Sequence, residues 1–384
     1  MTICDSFEDF KNYPHKENLN KLMIGSESTT AKKSSVDLRT VLDFGYYYKL
    51  TDLYVINAID NLELESGDSC SYTNLPLEYV TFYGNLFKTI EKYHFPVYAV
   101  KKFNLVNNNI EAIKSWAFAD HHIENMDLSD NLMEDIEAGA LPQTSVTKTI
   151  IIKNNKLTHI EVGSFPSSLE VLNLGWNKFR HIQDEIFENL LKLKELTLSH
   201  NNFKEIPRVN SLTQLVIFDM SFNAISTVSE GVFKDMKRLK FLDLSNNNIE
   251  SPLLIQRLQI PVNQEITISL ALNRLMKLDL TNVSLDEKTL VLYGNPWHCH
   301  LWTSLKTELS GHESQCDLKL SSRGNIPYCV SFRYNIYTME YESKNEIDRF
   351  HQVVRSSMKN FECDLALPRN EWLSNVHYMV SCVA

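Results

Sequence analysis

Glycine and proline are scarce, 11 of each in 384 residues, which excludes a collagen-like repeat and a disordered chain rich in breakers. Basic charge is short as well. Lys and Arg number 38 against 48 Asp and Glu, a net charge of −10, so non-specific binding to nucleic acid or to an anionic membrane lacks its electrostatic drive. No stretch approaches the roughly 20 apolar residues that cross a bilayer. The start Met1-Thr-Ile-Cys-Asp5 has no basic segment leading into an apolar one, so a secreted form is expected to have its signal peptide outside this sequence. Catalytic motifs are missing too: G-x-S-x-G, G-x-x-x-x-G-K-[ST], H-E-x-x-H and C-x-x-C do not occur. No enzyme, cofactor or metal site is expected.

Against those absences stands one regular pattern. Leu169, Leu172, Leu174, Asn177, Phe179 and Ile182 are echoed by Leu193, Leu196, Leu198, Asn201, Phe203 and Ile206, and again by Leu239, Leu242, Leu244, Asn247 and Ile249. The frame L-x-x-L-x-L-x-x-N-x-L-x-x-I recurs ten times, with its other asparagines at Asn85, Asn108, Asn131, Asn155, Asn223, Asn273 and Asn295. It advances by 22 to 24 residues, apart from one step of 26. This is the leucine-rich-repeat signature. One unit lays down a short strand and returns along the far side, so it cannot bury its apolar face alone and must stack. The expected fold is an α/β-type leucine-rich-repeat solenoid, a horseshoe with a parallel sheet on its concave face. The asparagine side chains are expected to bond backbone groups where each strand stops. Phe118, Phe165, Phe187 and Phe233 read as a second apolar anchor on the convex side. The long step between Leu239 and Glu265 contains Pro252 and Pro261 and reads as an expanded convex loop.

Three regions are expected: an N-terminal cap or tail over 1–74, the solenoid over 75–298, and a helical C-terminal cap over 299–384. Leu50, Leu53 and Val55 can form one degenerate strand ahead of the first clear repeat. Seven cysteines flank the solenoid, and extracellular repeat proteins staple their end caps with disulfides. Cys4 with Cys70 would serve the N-terminal end. Asn295-Pro296-Trp297-His298-Cys299 has the form of a cap opening, and Cys299, Cys316, Cys329 and Cys363 would make two bridges by any of three pairings. Cys382 is left over, a candidate link to a second chain in a homo- or heterodimer. His298, Cys299 and His300 are too close in sequence to converge on one tetrahedral ion. Glu346, Ile347, Phe350, Val353, Val354, Met358 and Phe361 keep helical spacing over 343–362, and a second short helix is expected over 371–380.

A sheet of about ten strands suits a protein partner, bound there or at the C-terminal cap. The column just before the asparagines runs Gly84, Asn107, Asp130, Asn154, Trp176, His200, Phe222, Asn246, Leu272, Gly294. Trp176, His200 and Phe222 fall in successive repeats, and exposed aromatics of this kind dominate interface energy. With Tyr83 and Tyr293, one position earlier in their strands, they are the candidate partner-binding residues. Asn282-Val283-Ser284 is the one N-glycosylation sequon.

The cap opening, Gln315-Cys316-Asp317, Pro327-Tyr328-Cys329, and above all Glu342-Ser343-Lys344 with Ile347-Asp348-Arg349 and Cys363, resemble the secreted leucine-rich immune (LRIM) proteins of mosquitoes. The resemblance implies an extracellular haemolymph protein of innate immunity that forms disulfide-linked complexes and carries or stabilises a complement-like thioester protein, or recognises pathogens. This sequence departs from the family in having no coiled coil after the cap and Cys329-Val330 where some members have paired cysteines. The alternative is the ectodomain of a leucine-rich-repeat receptor, or a matrix protein, with another protein ligand.

Overall fold

The repeat period becomes a parallel strand ladder in the computed structural model, which describes residues 2–4, 19–25, 33–36, 38, 49–63, 77–95, 99–314, 316–318, 329–330, 334–335, 340–341, 344–357, 362–363 and 380–381. The chain divides into two compact units, Met1–Thr197 and Leu198–Ala384.

In the first unit nine parallel strands follow one another in chain order: β1 (Thr2–Cys4), β2 (Lys21–Gly25), β3 (Asp52–Ile56), β4 (Tyr79–Tyr83), β5 (Ala99–Val106), β6 (His122–Asp127), β7 (Thr149–Ile151), β8 (Val171–Asn173) and β9 (Glu195–Thr197). The degenerate strand at Leu53 and Val55 is β3, and the ladder runs upstream of it through β2 and β1. The second unit holds four more: β10 (Ile217–Asp219), β11 (Phe241–Asp243), β12 (Ile266–Ser269) and β13 (Lys288–Val291), again parallel and in order. Together they are a leucine-rich-repeat solenoid.

Register follows from period-2 alternation. In β4, Val80 and Phe82 are buried while Tyr79, Thr81 and Tyr83 face outward. The frame leucines, Leu169, Leu172 and Leu174 among them, are buried, as are Phe118, Phe165, Phe187 and Phe233 on the return side. Phe82, Phe95, Phe103 and Phe118 pack with centroid separations of 5.1 to 6.2 Å. A fully buried phenylalanine contributes roughly 2–3 kcal/mol.

The asparagines cap the strands as their chemistry requires. Asn108 Nδ2 donates to the carbonyls of Phe82 at 2.8 Å and Val106 at 3.1 Å, while its Oδ1 accepts from the Asn85 backbone N–H at 3.1 Å. In the second unit Asn247 Nδ2 donates to Met220 O and Leu244 O, and Oδ1 accepts from Ile225 N. Each side chain thus satisfies groups from two repeats that no strand can reach.

The long step contains a short helix, α1 (Leu254–Leu258), with Leu254, Ile255 and Leu258 buried. After β13 the polypeptide enters α2 (Cys299–Glu308), and farther on α3 (Lys344–Ser357), whose Ile347, Phe350 and Val354 are buried. Asp348 pairs with Arg274 at 3.2 Å, and His351 Nε2 lies 2.8 Å from Asn273 O, tying α3 to the turn after β12. The helix expected over 343–362 is shorter at its C-terminal end, because Glu362 and Cys363 are strand residues paired antiparallel with Val380 and Ser381. Val380 is therefore not helical, and the rest of the expected 371–380 helix lies outside the described residues. Among the described residues no helix is long and apolar enough to cross a membrane.

Candidate functional site

The residue before each repeat asparagine has left-handed backbone. In the first unit φ is +69° at Gly84, +58° at Asn107 and Asp130, +53° at Asn154 and +57° at Trp176. In the second it is +53° at His200, Phe222 and Asn246, +55° at Leu272 and +72° at Gly294. Gly, Asn and Asp adopt this conformation cheaply, and a bulky side chain pays on the order of 1 kcal/mol. The composition of the column carried that signal: it uses the inexpensive residues at six of ten positions, which makes Trp176, His200, Phe222 and Leu272 the anomalies.

Deep burial accounts for Leu272, which is 3% exposed, but not for the three aromatic residues. Trp176 is 48% exposed at the end of the first unit. In the second unit the His200 and Phe222 rings stack in parallel, 4.1 Å between centroids and 10° between planes, and both are half-buried. Such a stack returns about 0.5–1.5 kcal/mol, enough to offset the backbone strain without making the pair a stabilising feature.

Exposure on the outward face varies from strand to strand in both units. In the first, Tyr79 and Tyr83 stand exposed on β4, Tyr83 at 45%, with the Lys102 ammonium 5.9 Å from the centre of the Tyr79 ring. Asn104 Nδ2 donates to Thr81 Oγ1 at 3.3 Å beside them. Tyr83 also borders an open polar cavity of about 550 Å³ shared with Asn107, Asp130, Asn154 and Lys156, where Asn154 Nδ2 donates to Asp130 Oδ1 at 2.6 Å. On β3, burial pushes the Asp52 carboxyl up, but donation from Thr51 and Lys21 overcomes this and holds it below its ordinary value. Tyr79 and Lys102 were absent from the candidate residues, although strand alternation places both on the face of Tyr83.

In the second unit the outward side chains Ile217, Asp219, Phe241, Asp243, Ser269 and Val291 are buried, while Thr267 and Thr289 are half-buried. Tyr293 is 1% exposed, so it cannot offer a contact surface. Its place one residue before Gly294 suggested exposure, but its environment is core. Asp219 and Asp243 are register partners on β10 and β11. Asp219 Oδ1 accepts from Ser221 N at 2.9 Å and Ser221 Oγ at 2.7 Å, and Asp243 Oδ1 accepts from Ser245 N at 2.8 Å. Burial raises both carboxyls, and the Asp219 charge adds to the effect on Asp243, which reaches about 7. Two adjacent buried carboxylates cannot both ionise cheaply.

At the cap, Cys299 and Cys329 form a disulfide with 4.9 Å between their Cα atoms. Cys316 is buried and also disulfide-bonded. Cys4 sits in β1 and Cys363 in its short strand, while Cys70 and Cys382 lie outside the described residues. His298 caps α2, its Nδ1 accepting from His300 N at 3.3 Å. With Cys299 in a disulfide, the His298-Cys299-His300 run offers no thiolate to a metal. Asn282 is exposed with φ +60°.

No characterised protein matches the chain in sequence. Two family models match parts of it: a BspA type leucine rich repeat region in six copies over residues 88–209, and a leucine rich repeat over 209–249. Leucine-rich repeats are therefore present. Among solved structures, a chain of the glycosylated Toll–Spatzle complex of Drosophila is similar at TM-score 0.61 and 19% identity, over 77% of this chain and 39% of that one. A second structure of the Toll–Spatzle complex gives TM-score 0.50 and 18% identity over 78% and 50%. Human 5T4, a trophoblast glycoprotein, gives 0.46 and 21% over 56% and 85%. This chain thus spans at most half the length of the Toll–Spatzle chains it matches, and at these identities the likeness is one of fold.

Proposed function

We propose that the chain is a non-enzymatic, extracellular protein-binding scaffold of innate immunity, carrying or stabilising a complement-like thioester protein or meeting pathogens directly. The observation that carries the binding reading is the open tyrosine face of the first unit, where Tyr79, Tyr83 and Lys102 stand exposed on adjacent strands. Tyrosines of this kind supply apolar area and a hydroxyl with few rotors to freeze, which is the composition of protein-contact surfaces. Trp176 in the first unit, and the His200–Phe222 stack in the second, are the remaining proposed contacts, since each holds an aromatic ring in a backbone conformation that does not favour it. The cap disulfide supports an oxidising compartment. The immune assignment rests on the resemblance of the Glu342–Cys363 segment, and Cys382 is the proposed link to a partner chain.

A receptor or matrix ectodomain with another protein ligand is the second reading, favoured by the fold likeness to the Toll–Spatzle structures. The test is the mass of the secreted protein on reducing and non-reducing gels, with co-purifying proteins identified by mass spectrometry. A covalent species lost in Cys382→Ser together with a thioester protein would support the first reading. A monomer with internal bridges, bound to no such protein, would overturn it in favour of the second.

A further inference from the structure

The turn Leu280–Val283 is closed by Val283 N donating to Leu280 O at 3.0 Å, with the exposed Asn282 at its tip in left-handed backbone. Its base is held firmly: Asp279 Oδ1 accepts from Thr281 N at 2.9 Å, Gln256 Nε2 donates to Thr281 O at 2.9 Å, and Asp279 N donates to Pro252 O at 2.8 Å. Leu280 and Thr281, the two residues before Asn282, line a cavity of about 390 Å³ whose far wall is α2, through Leu301, Trp302 and Ser304. On that wall Leu301 is exposed and Trp302 half-buried, stacked 5.6 Å from the buried Trp297. Hydroxyl and carboxylate groups of Ser304, Asp279 and Glu308 stand around it.

This is a surface suited to a pyranose ring, whose C–H face lies on an indole while its hydroxyls pair with carboxylates and hydroxyls at the rim. The volume falls in the range of small-molecule sites, roughly 300–1,000 Å³. We propose that Asn282 carries an N-linked glycan whose innermost sugars seat in this cavity, against Trp302 and Leu301. The inference rests on the extracellular reading above. In the modifying step the Asn282 carboxamide nitrogen attacks the anomeric carbon of a lipid-diphosphate-linked oligosaccharide. The N–C1 bond forms, the C1–O bond to the diphosphate breaks, one amide proton is lost and the lipid diphosphate leaves, with no redox change. The same seat gives the sequon a structural use: the sugar covers apolar surface at the cap that the polypeptide leaves open.

The experiment uses the full chain secreted from insect cells. Intact mass before and after peptide N-glycosidase treatment reads occupancy, and hydroxyl-radical footprinting reads Leu301 and Trp302 individually. Complete glycan removal should raise labelling at both by at least about twofold, in proportion to the surface uncovered, whereas trimming to one N-acetylglucosamine should leave much of the protection. Ser284→Ala, which abolishes the sequon while keeping Asn282, should label like the enzymatically stripped protein, and Ser284→Thr like the parent. A secreted, disulfide-bonded protein with an empty sequon overturns this inference alone, as does an occupied sequon whose removal leaves Leu301 and Trp302 labelling unchanged. Failure to form the Cys299–Cys329 bridge in the secretory pathway would overturn the extracellular reading, and this inference with it.

Discussion

Asp243→Asn should stabilise the protein at neutral and alkaline pH and have little effect in acid. Asp243 is buried beside Asp219, and its carboxyl is raised from 3.8 to about 7. A group that binds its proton more tightly when folded contributes stability that is complete below its unfolded value and is lost as pH rises through its folded value. The window here is pH 4 to 7. At about 1.4 kcal/mol per tenfold change in proton affinity, the loss across it is roughly 4 kcal/mol as an upper bound. Asparagine removes the charge and keeps the shape. Asn173 occupies the equivalent position in another repeat, and its Oδ1 accepts from Gly175 N at 2.9 Å as Asp243 Oδ1 accepts from Ser245 N. Urea denaturation of parent and variant at half-unit steps from pH 4 to 8, with disulfides intact, measures the difference directly. The gap should open with rising pH and exceed about 1 kcal/mol by pH 8. A gap that is flat across the series, or a variant less stable at pH 8, would refute the argument that the two carboxylates repel in a buried site.

Three further outcomes are expected. Asn108→Ala strands the Phe82 and Val106 carbonyls and the Asn85 N–H, and should cost about 2–4 kcal/mol in chemical denaturation. Phe222→Asn exchanges a strained aromatic for a residue that suits φ +53°, so stability should stay within about 1 kcal/mol of the parent. Partner affinity, read by surface plasmon resonance, should fall at least about tenfold; a large loss of stability with binding intact would make the ring a packing residue. Cys299→Ser opens a link across a sequence separation of 30 residues and should lower cap stability by about 3–4 kcal/mol on the chain-entropy account, measured as a drop in melting temperature.

The period of the leucines and asparagines was enough to place the strands, because in a stacked repeat each copy meets the same neighbours and local pattern and tertiary contact coincide. The Asn ladder was legible for the same reason: a side-chain amide at the end of each strand has one set of orphaned backbone groups to meet. The strands β1 and β2 were not, since their outward and inward residues carry no frame asparagine and little leucine. The left-handed column could have been read from its glycines, asparagines and aspartate.

What the sequence by itself determined is the repeat fold, the inward-facing core and the positions of the strand-ending asparagines, all of which follow from local periodicity. Only the tertiary structure decided which outward residues remain open. Tyr83 and Tyr293 occupy the same place in their repeats, yet Tyr83 is exposed and Tyr293 is core. The difference is set by what packs over each strand, which is a long-range contact that a residue's place in its own repeat does not record. The same holds for Asp219 and Asp243: their spacing is repeat grammar, but their raised carboxyls come from burial and from parallel register across two strands.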